Sequence, residues 1–211
     1  MEEHSKVVVA MNLIPWIEIN RLEAGCDEAG RGCLAGPVTA SAVILDPEFA
    51  QELCDEGVLN DSKQLSEKNR NLLRVRIELE AKAWAVCHVE SDEIDRINIL
   101  QASFAAMRRA VKTLKLSPEF LLIDGNRFRT EEGLPEYECF IKGDARFASI
   151  AAASVLAKTH RDELMRKLAK SHPTYGWHTN AGYPTRAHRE AIRVGGVTAY
   201  HRKSFRQLPG L

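Results

Sequence analysis

Acidic residues stand where three predicted strands of this sequence end. They are Asp27 and Glu28 at the first, Asp124 at the second and Asp144 at the third. A carboxylate at the edge of an apolar core is costly unless a cation compensates its charge. Oxygen ligands of this kind suit Mg²⁺ or Mn²⁺ and not zinc or copper. The sequence therefore predicts one metal site formed by these four carboxylates.

Asp27 and Glu28 are adjacent, which raises a geometric question. Successive side chains of a strand point to opposite faces of its sheet. Both side chains can reach one ion only if the strand ends there, or if Glu28 contributes its main chain instead. The sequence leaves these two arrangements open.

Glycines flank an arginine immediately after the acids, at Gly30, Arg31 and Gly32. With Gly36 they form G-x-G-x-x-x-G, which is not the dinucleotide-binding G-x-G-x-x-G, and a strand follows where a helix would be required. Glycine lets the main chain approach a ligand closely. A main chain beside a ribose can sense the 2′-hydroxyl, the group that distinguishes RNA from DNA.

Charge is unevenly distributed along the chain, although the formal net charge is zero. From Lys158 to Arg206 there are 11 Lys and Arg residues against 3 acidic residues. This excess predicts a surface that meets a polyanion; a solvated basic helix is the alternative. Together with the acidic cluster, a polyanion-binding surface indicates phosphodiester hydrolysis assisted by one or two metal ions.

Composition excludes several other classes of protein. A chain of 211 residues can bury one sizeable core. Its 5 cysteines include no C-x-x-C pair, which argues against a zinc ribbon or a disulfide framework and favours a reducing compartment. The apolar run at 7–11 is too short for a signal peptide or a membrane span. We expect a cytoplasmic protein without membrane association.

Residue patterns predict an α/β fold with a mixed sheet. The short glycine-rich link after the first strand favours an antiparallel pair, and a strand after a helical crossover favours a buried parallel one. Predicted strands are 21–27, 38–45, 84–89, 120–123 and 137–141, and predicted helices are 66–81, 91–114, 150–170 and 187–194.

These motifs resemble the bacterial ribonuclease HII family, in the family's order, across roughly residues 21–206. The resemblance implies an RNase H-like mixed five-stranded sheet flanked by helices, within a single nuclease domain over 1–211. It also implies an N-terminal segment at about 1–20 and a basic C-terminal extension of helices and loops at about 172–211. The matching segments are 24–38 (AGCDEAGRGCLAGPV), 61–63 (DSK), 124–125 (DG), 142–144 (KGD), 149–158 (SIAAASVLAK), 161–162 (RD) and 201–205 (HRKSF).

The resemblance also implies an activity. It is that of an endoribonuclease that hydrolyses the RNA strand of RNA–DNA hybrids and cuts 5′ of single ribonucleotides embedded in duplex DNA. The products would carry a 5′-phosphate and a 3′-hydroxyl, and the cofactor would be Mg²⁺ or Mn²⁺. A monomer with no obligate protein partner is expected.

Site residues carry over from the family by position. Tyr183 matches the tyrosine that stacks on the deoxyribose 3′ to the ribonucleotide, and Ala181 stands where the family usually has Lys. One phosphate contact would then be lost, or supplied by Arg186. The matched acids are Asp27, Glu28, Asp124 and Asp144, and the matched substrate-binding residues are Gly30, Arg31, Gly32, Lys63 and Tyr183.

Three alternative functions follow from the same residues. A DNA nuclease or junction resolvase also uses acids and Mg²⁺, but Arg31 between glycines and Tyr183 argue against it. A non-catalytic nucleic-acid-binding module would bind in a salt-sensitive way without metal-dependent turnover. A histidine-based nuclease or zinc enzyme is the third alternative, yet the 7 histidines show no H-x-x-x-H spacing. We expect these histidines to be solvated or to meet phosphate.

Overall fold

A mixed sheet of five strands organises the computed structural model, which describes residues 13–59 and 65–208. The strand order is β3-β2-β1-β4-β5. β1 pairs antiparallel with β2 and parallel with β4, and β5 extends the parallel part. The predicted mixed sheet is confirmed. The strands are β1 Glu23–Ala29, β2 Val38–Ile44, β3 Ala83–Val89, β4 Phe120–Asp124 and β5 Glu136–Phe140.

Helices cover both faces of this sheet. The predictions for 66–81, 150–170 and 187–194 correspond to helices α2, α5 and α7. Ser66 caps α2 as its type suggests, with its Oγ accepting from the Asn69 amide at 3.2 Å. The helices are α1 Pro47–Asp55, α2 Glu67–Glu80, α3 Ser91–Ile97, α4 Ile99–Thr113, α5 Ala148–Ser171, α6 Trp177–Asn180 and α7 Arg186–Gly195, with 3₁₀ turns at Gly143–Ala145 and Pro173–Tyr175.

Capping chemistry explains one helix prediction that was wrong and one helix that was not predicted. The single helix at 91–114 is two helices, since Asn98 adopts φ 66° and its Oδ1 accepts from the amides of Leu100 and Gln101. The sequence analysis also missed α1. Asp46 caps this helix by accepting from the Glu48 amide at 3.0 Å, and Pro47 follows at the first helical position.

β1 separates two apolar cores. Ala24 and Cys26 face the α4 side, where they pack with Met107 and Ile123. The other core lies between the sheet and α1, α2 and α5. Gly25 and Asp27 occupy the alternate positions of β1 and face α5. The α5 side is therefore the face toward which the first acid of the predicted site points.

A third apolar cluster attaches the C-terminal part of the chain. Trp177 is fully buried there, in one cluster with Tyr175, Ile192, Leu34 and Met165. Leu34 lies in the β1–β2 loop and Met165 in α5. This cluster fixes the C-terminal helices beside the loop that contains Gly30 to Gly32. Among the described residues, no helix is both long enough and apolar enough to span a membrane.

Candidate active site

Gly25 allows β1 and α5 to approach unusually closely. A Cβ at this position would overlap the backbone of Ser149 and Ile150 at the start of α5. The close approach places Ser154, further along α5, beside the β1 strand. The Ser154 hydroxyl hydrogen-bonds the Asp27 carboxylate. A glycine two residues before the acid is therefore part of what positions that acid.

Asp27 is a buried carboxylate in a negatively charged environment. Its side chain accepts a 2.6 Å hydrogen bond from the Glu28 amide. Burial first, and then repulsion from Glu28 and Asp124, raise the pKa of Asp27 well above its usual value. All three carboxylates line the same cleft, which accounts for this repulsion. A proton or a cation at Asp27 would relieve the excess charge.

Glu28 reaches the same cleft as Asp27 although the two are neighbours in sequence. β1 ends at Ala29, one residue later. The Glu28 side chain is 10% exposed and its Oε1 lies 3.2 Å from Nη1 of Arg31. Of the two arrangements left open by the sequence, the structure has the one in which the strand ends near Glu28. Both side chains line one cleft with Asp124.

Asp124 is the last residue of β4, next to β1 in the sheet. Its Oδ1 accepts a 2.8 Å hydrogen bond from the Gly143 amide. Asp144 follows Gly143 directly in a 3₁₀ turn and is buried. The Gly143 amide thereby connects Asp124 with the neighbouring residue Asp144. Asp144 is not among the residues found to line the cleft.

The carboxylates fit a hard divalent cation. Within residues 13–59 and 65–208, no three His, Cys, Asp or Glu side chains form a ready ligand set for one ion. However, Mg²⁺ is usually held by one or two protein carboxylates together with water and substrate phosphate oxygens. Asp27, Glu28 and Asp124 provide oxygen donors of this kind in one cleft, and the charges of Glu28 and Asp124 repel that of the buried Asp27. This donor set suits an ion whose coordination is completed by the substrate.

The β1–β2 loop forms one wall of the cleft. Gly30 adopts φ 91°, and a Cβ there would overlap the side chain of Arg161. Gly32 faces open space, with no heavy atom within 4 Å of the Cβ that it lacks. Arg31 between them keeps its side chain about half exposed (51%). All three predicted loop residues therefore line the cleft beside the acids.

Tyr183 lies at the rim of the same cleft. The residue is 40% exposed, and the ring centroid lies 5.8 Å from Nζ of Lys158. The hydroxyl is hydrogen-bonded to the thiol of Cys33 in the β1–β2 loop. This bond and the nearby cation hold a ring that is still partly accessible to solvent. Lys63, the remaining predicted contact, lies outside the described residues.

Two polar residues that line the cleft, Ser154 and Lys158, were not predicted as site residues. They are four residues apart on α5, a spacing that places side chains on one helical face. Lys158 Nζ also lies 2.8 Å from Oδ1 of Asp162. Ser154 and Lys158 both lie in the segment 149–158 that resembles the family. Their four-residue spacing on a predicted helix is the signal that could have identified them. Arg186 is exposed and is not among the residues found to line the cleft.

The histidine alternative finds no support at this site, since no histidine is among the residues that line the cleft. The expectation of solvated histidines was wrong for two of them. His188 and His201 are 0% and 1% exposed and hydrogen-bonded to each other.

Comparison with known proteins identifies the family. The Ribonuclease HII family model matches residues 24–208. A ribonuclease HII from Parabacteroides distasonis is 59% identical over 197 residues, covering 93% of this chain and 96% of the relative. The chain belongs to the ribonuclease HII family. It is therefore a ribonuclease H, a hydrolase and endonuclease that acts on RNA–DNA hybrids.

Solved structures share the ribonuclease HII fold. Ribonuclease H2 from Pyrococcus horikoshii superposes with a TM-score of 0.74 at 25% identity, covering 88% of this chain and 94% of that one. The RNase HII of an Archaeoglobus fulgidus complex with PCNA gives a TM-score of 0.70 at 25% identity, covering 88% and 95%. Bst-RNase HIII in complex with Mn²⁺ gives 0.70 at 20% identity, covering 89% and 68%, which shows similarity of fold alone.

Proposed function

We propose that this ribonuclease HII hydrolyses the phosphodiester 5′ of ribonucleotides, including single ribonucleotides embedded in duplex DNA. The products carry a 5′-phosphate and a 3′-hydroxyl. The observation that carries the proposal is that three of the four acids, the glycine-flanked Arg31 and Tyr183 line one cleft. A site with these three parts combines charge for a metal, a main chain for the 2′-hydroxyl and a ring for the sugar.

Mg²⁺ or Mn²⁺ is the proposed cofactor, by the chemistry of the donors and by the Mn²⁺ bound to the related RNase HIII. Asp27, Glu28 and Asp124 would hold it, with Asp144 contributing to a second ion. When bound, such an ion stabilises charge on the phosphate and lowers the pKa of bound water. Ser154 orients Asp27 through its hydroxyl, and the Gly143 amide orients Asp124.

We assign substrate recognition to the uncharged and basic residues that line the cleft. The main chain at Gly30 and Gly32 would contact the ribonucleotide, and Arg31 would contact the adjoining phosphate. Tyr183 would stack on the deoxyribose that follows. Lys158 adds a cation to the same cleft, where it can neutralise a phosphate oxygen. Lys63 completes the set as a proposed substrate contact.

We further propose that residues 1–211 form one nuclease domain that acts as a cytoplasmic monomer, with about 172–211 as its basic extension. The structure of the A. fulgidus relative is that of a complex with PCNA, so a clamp protein is the partner class to examine. Light scattering of the purified protein, alone and with a clamp, measures both properties. A dimer mass for the protein alone contradicts the monomer.

Cleavage of a defined duplex tests the function. The substrate is a DNA duplex with one ribonucleotide, incubated with and without Mg²⁺, and the cut is mapped on a sequencing gel. We expect one metal-dependent cut immediately 5′ of the ribonucleotide. An all-DNA duplex of the same sequence should remain intact. Equal cleavage of both duplexes would instead favour the DNA nuclease, and salt-sensitive binding without turnover would favour the binding module.

Substitution of Tyr183 tests ribonucleotide recognition. Tyr183→Ala removes the stacking ring, and we expect KM for the single-ribonucleotide duplex to rise by about 10-fold, since one stacked group contributes about 1–3 kcal/mol. Tyr183→Phe keeps the ring but loses the bond to Cys33, so KM should stay within about 2-fold of the wild type. Steady-state kinetics measure both variants. Equal KM values for the Ala variant and the wild type would contradict the contact.

A further inference from the structure

Three consecutive carbonyls position Tyr183, and each accepts a hydrogen bond from a different part of the chain. Arg161 in α5 donates to the Ala181 carbonyl at 2.8 Å. The Leu34 amide in the β1–β2 loop donates to the Gly182 carbonyl at 2.8 Å. His188 in α7 contacts the Tyr183 carbonyl through Nδ1 at 2.9 Å. The turn that presents Tyr183 to the cleft is therefore held from outside.

The hydrogen bonds of His188 define its tautomer. A carbonyl only accepts, so Nδ1 of His188 must carry the proton that it donates to Tyr183. The indole Nε1 of Trp177 donates to Nε2 of His188 at 3.0 Å, so Nε2 must be unprotonated. A second proton on His188 would sit on Nε2, where its N–H would face the N–H of Trp177.

His201 extends the same arrangement. Its Nδ1 accepts from the Thr198 amide at 2.9 Å. Its Nε2 lies 3.2 Å from Nε2 of His188, which only accepts, so His201 donates there. Both rings are thus neutral, each with one donor and one acceptor in use. Both are buried among the rings of Tyr175 and Trp177.

The groups around the pair oppose an added positive charge. Arg189 acts on His188 from the same helix, and His172 acts on His201 from the end of α5. Burial first, and then Arg189, lower the pKa of His188 against the opposing effect of its hydrogen bonds to the Tyr183 and Gly182 main chain, and burial with the two neighbouring histidines lowers the pKa of His201 to about 4. Tyr175 and Tyr200 are the other titratable rings nearby, and the Tyr175 hydroxyl donates to the Gly196 carbonyl.

We propose that His188, held in one tautomer by Trp177 and His201, is a positioning residue for Tyr183 in recognition of the ribonucleotide junction. The inference rests on the substrate contact proposed for Tyr183. Because the pKa of each ring is lowered in the fold, both rings are neutral above pH 6.5. In the neutral ring Nε2 of His188 accepts from Trp177 and His201 while Nδ1 donates to Tyr183, which holds the Tyr183 carbonyl in one position.

Two substitutions of His188 separate the two nitrogens. In His188→Asn the amide nitrogen takes the place of Nδ1 and can donate to Tyr183, whereas in His188→Gln the side-chain oxygen takes the place of Nε2 and the donor is lost. We expect His188→Gln to raise KM for the single-ribonucleotide duplex by about 10-fold at pH 7.5 with kcat nearly unchanged, and His188→Asn to rescue most of this loss. His178→Gln, on the exposed surface, is the matched control with unchanged KM.

A double-mutant cycle distinguishes this proposal from the proposed function. In a Tyr183→Ala background the His188→Gln effect on KM should vanish. If Tyr183→Ala alone leaves KM unchanged, the proposed substrate contact fails. If Tyr183→Ala raises KM but His188→Gln does not, the positioning role fails and the substrate contact stands.

Titration of the wild type needs no variant. Imidazole ¹⁵N and ¹³C chemical shifts followed from pH 8 to 4 report the tautomer and the pKa of each ring. We expect Nδ1–H on His188 and Nε2–H on His201. A His188 ring that carries its proton on Nε2 would overturn the proposal.

Discussion

Replacing Asp27 with Asn is expected to abolish cleavage and, in the metal-free protein, to raise the melting temperature. Asn keeps an oxygen for the Glu28 amide and for Ser154, so the local hydrogen bonds survive. It removes the buried charge that Glu28 and Asp124 repel. We expect a gain of about 1 kcal/mol, or about 2–4 °C in Tm. Activity should fall by about 1000-fold or more, since the charge stabilisation supplied through the metal is lost.

The pH dependence follows from the sign of the shift. The pKa of Asp27 is raised in the fold, so its ionisation destabilises the metal-free protein as pH rises through that pKa. The Tm advantage of Asp27→Asn should therefore be largest at neutral pH and shrink as pH falls and Asp27 becomes protonated. Thermal melts between pH 5 and 8 measure this difference. Asp92→Asn, on the exposed side of α3, is the control and should match the wild type.

The same melting experiment is repeated with a divalent metal added. Mg²⁺ or Mn²⁺ binds the folded state, so it should raise the Tm of the wild type. The rise should be absent from Asp27→Asn and from Asp124→Asn, in which Oδ1 can still accept from the Gly143 amide. Full activity in Asp124→Asn, or an equal metal-induced shift in all variants, would contradict the assignment of these acids.

Replacing Gly25 with Ala is expected to cause the largest loss of stability. The added methyl would overlap the backbone of Ser149 and Ile150, and backbone cannot rotate away as a side chain can. β1 and α5 must then separate, which opens the most extensive helix–sheet interface of the fold. We expect a loss of about 3 kcal/mol or more, or at least about 6–12 °C in Tm.

The consequence for the site is separable from the loss of stability. Displacement of α5 moves Ser154 away from Asp27, so residual activity at a temperature where the variant is folded should also be reduced. Gly32→Ala serves as the folding control, because its Cβ would meet no heavy atom within 4 Å and its Tm should match the wild type. Circular dichroism melts compare the two. A Gly25→Ala variant that melts with the wild type would show that the strand and helix do not require this contact.

Local sequence signals predicted the strands and most of the helices because those signals are short in range. Alternation, apolar runs and the Ser66 cap act within a few residues. The break at Asn98 depended on one side chain returning to its own backbone, which a periodic apolar pattern does not reveal. The helix that begins at Pro47 was missed although Asp46 and Pro47 are a capping pair.

The sequence by itself determined the family, the acidic residues, the glycine-flanked Arg31 and Tyr183, because these are chemical types in a diagnostic order. Tertiary structure alone decided how they act together. Only the close approach at Gly25 places Ser154 on Asp27, and only burial beside two other carboxylates raises the Asp27 pKa. The bond from His188 to Tyr183 depends on a buried ring pair. Such effects arise from distances and desolvation between residues brought together by the fold, which sequence order does not encode directly.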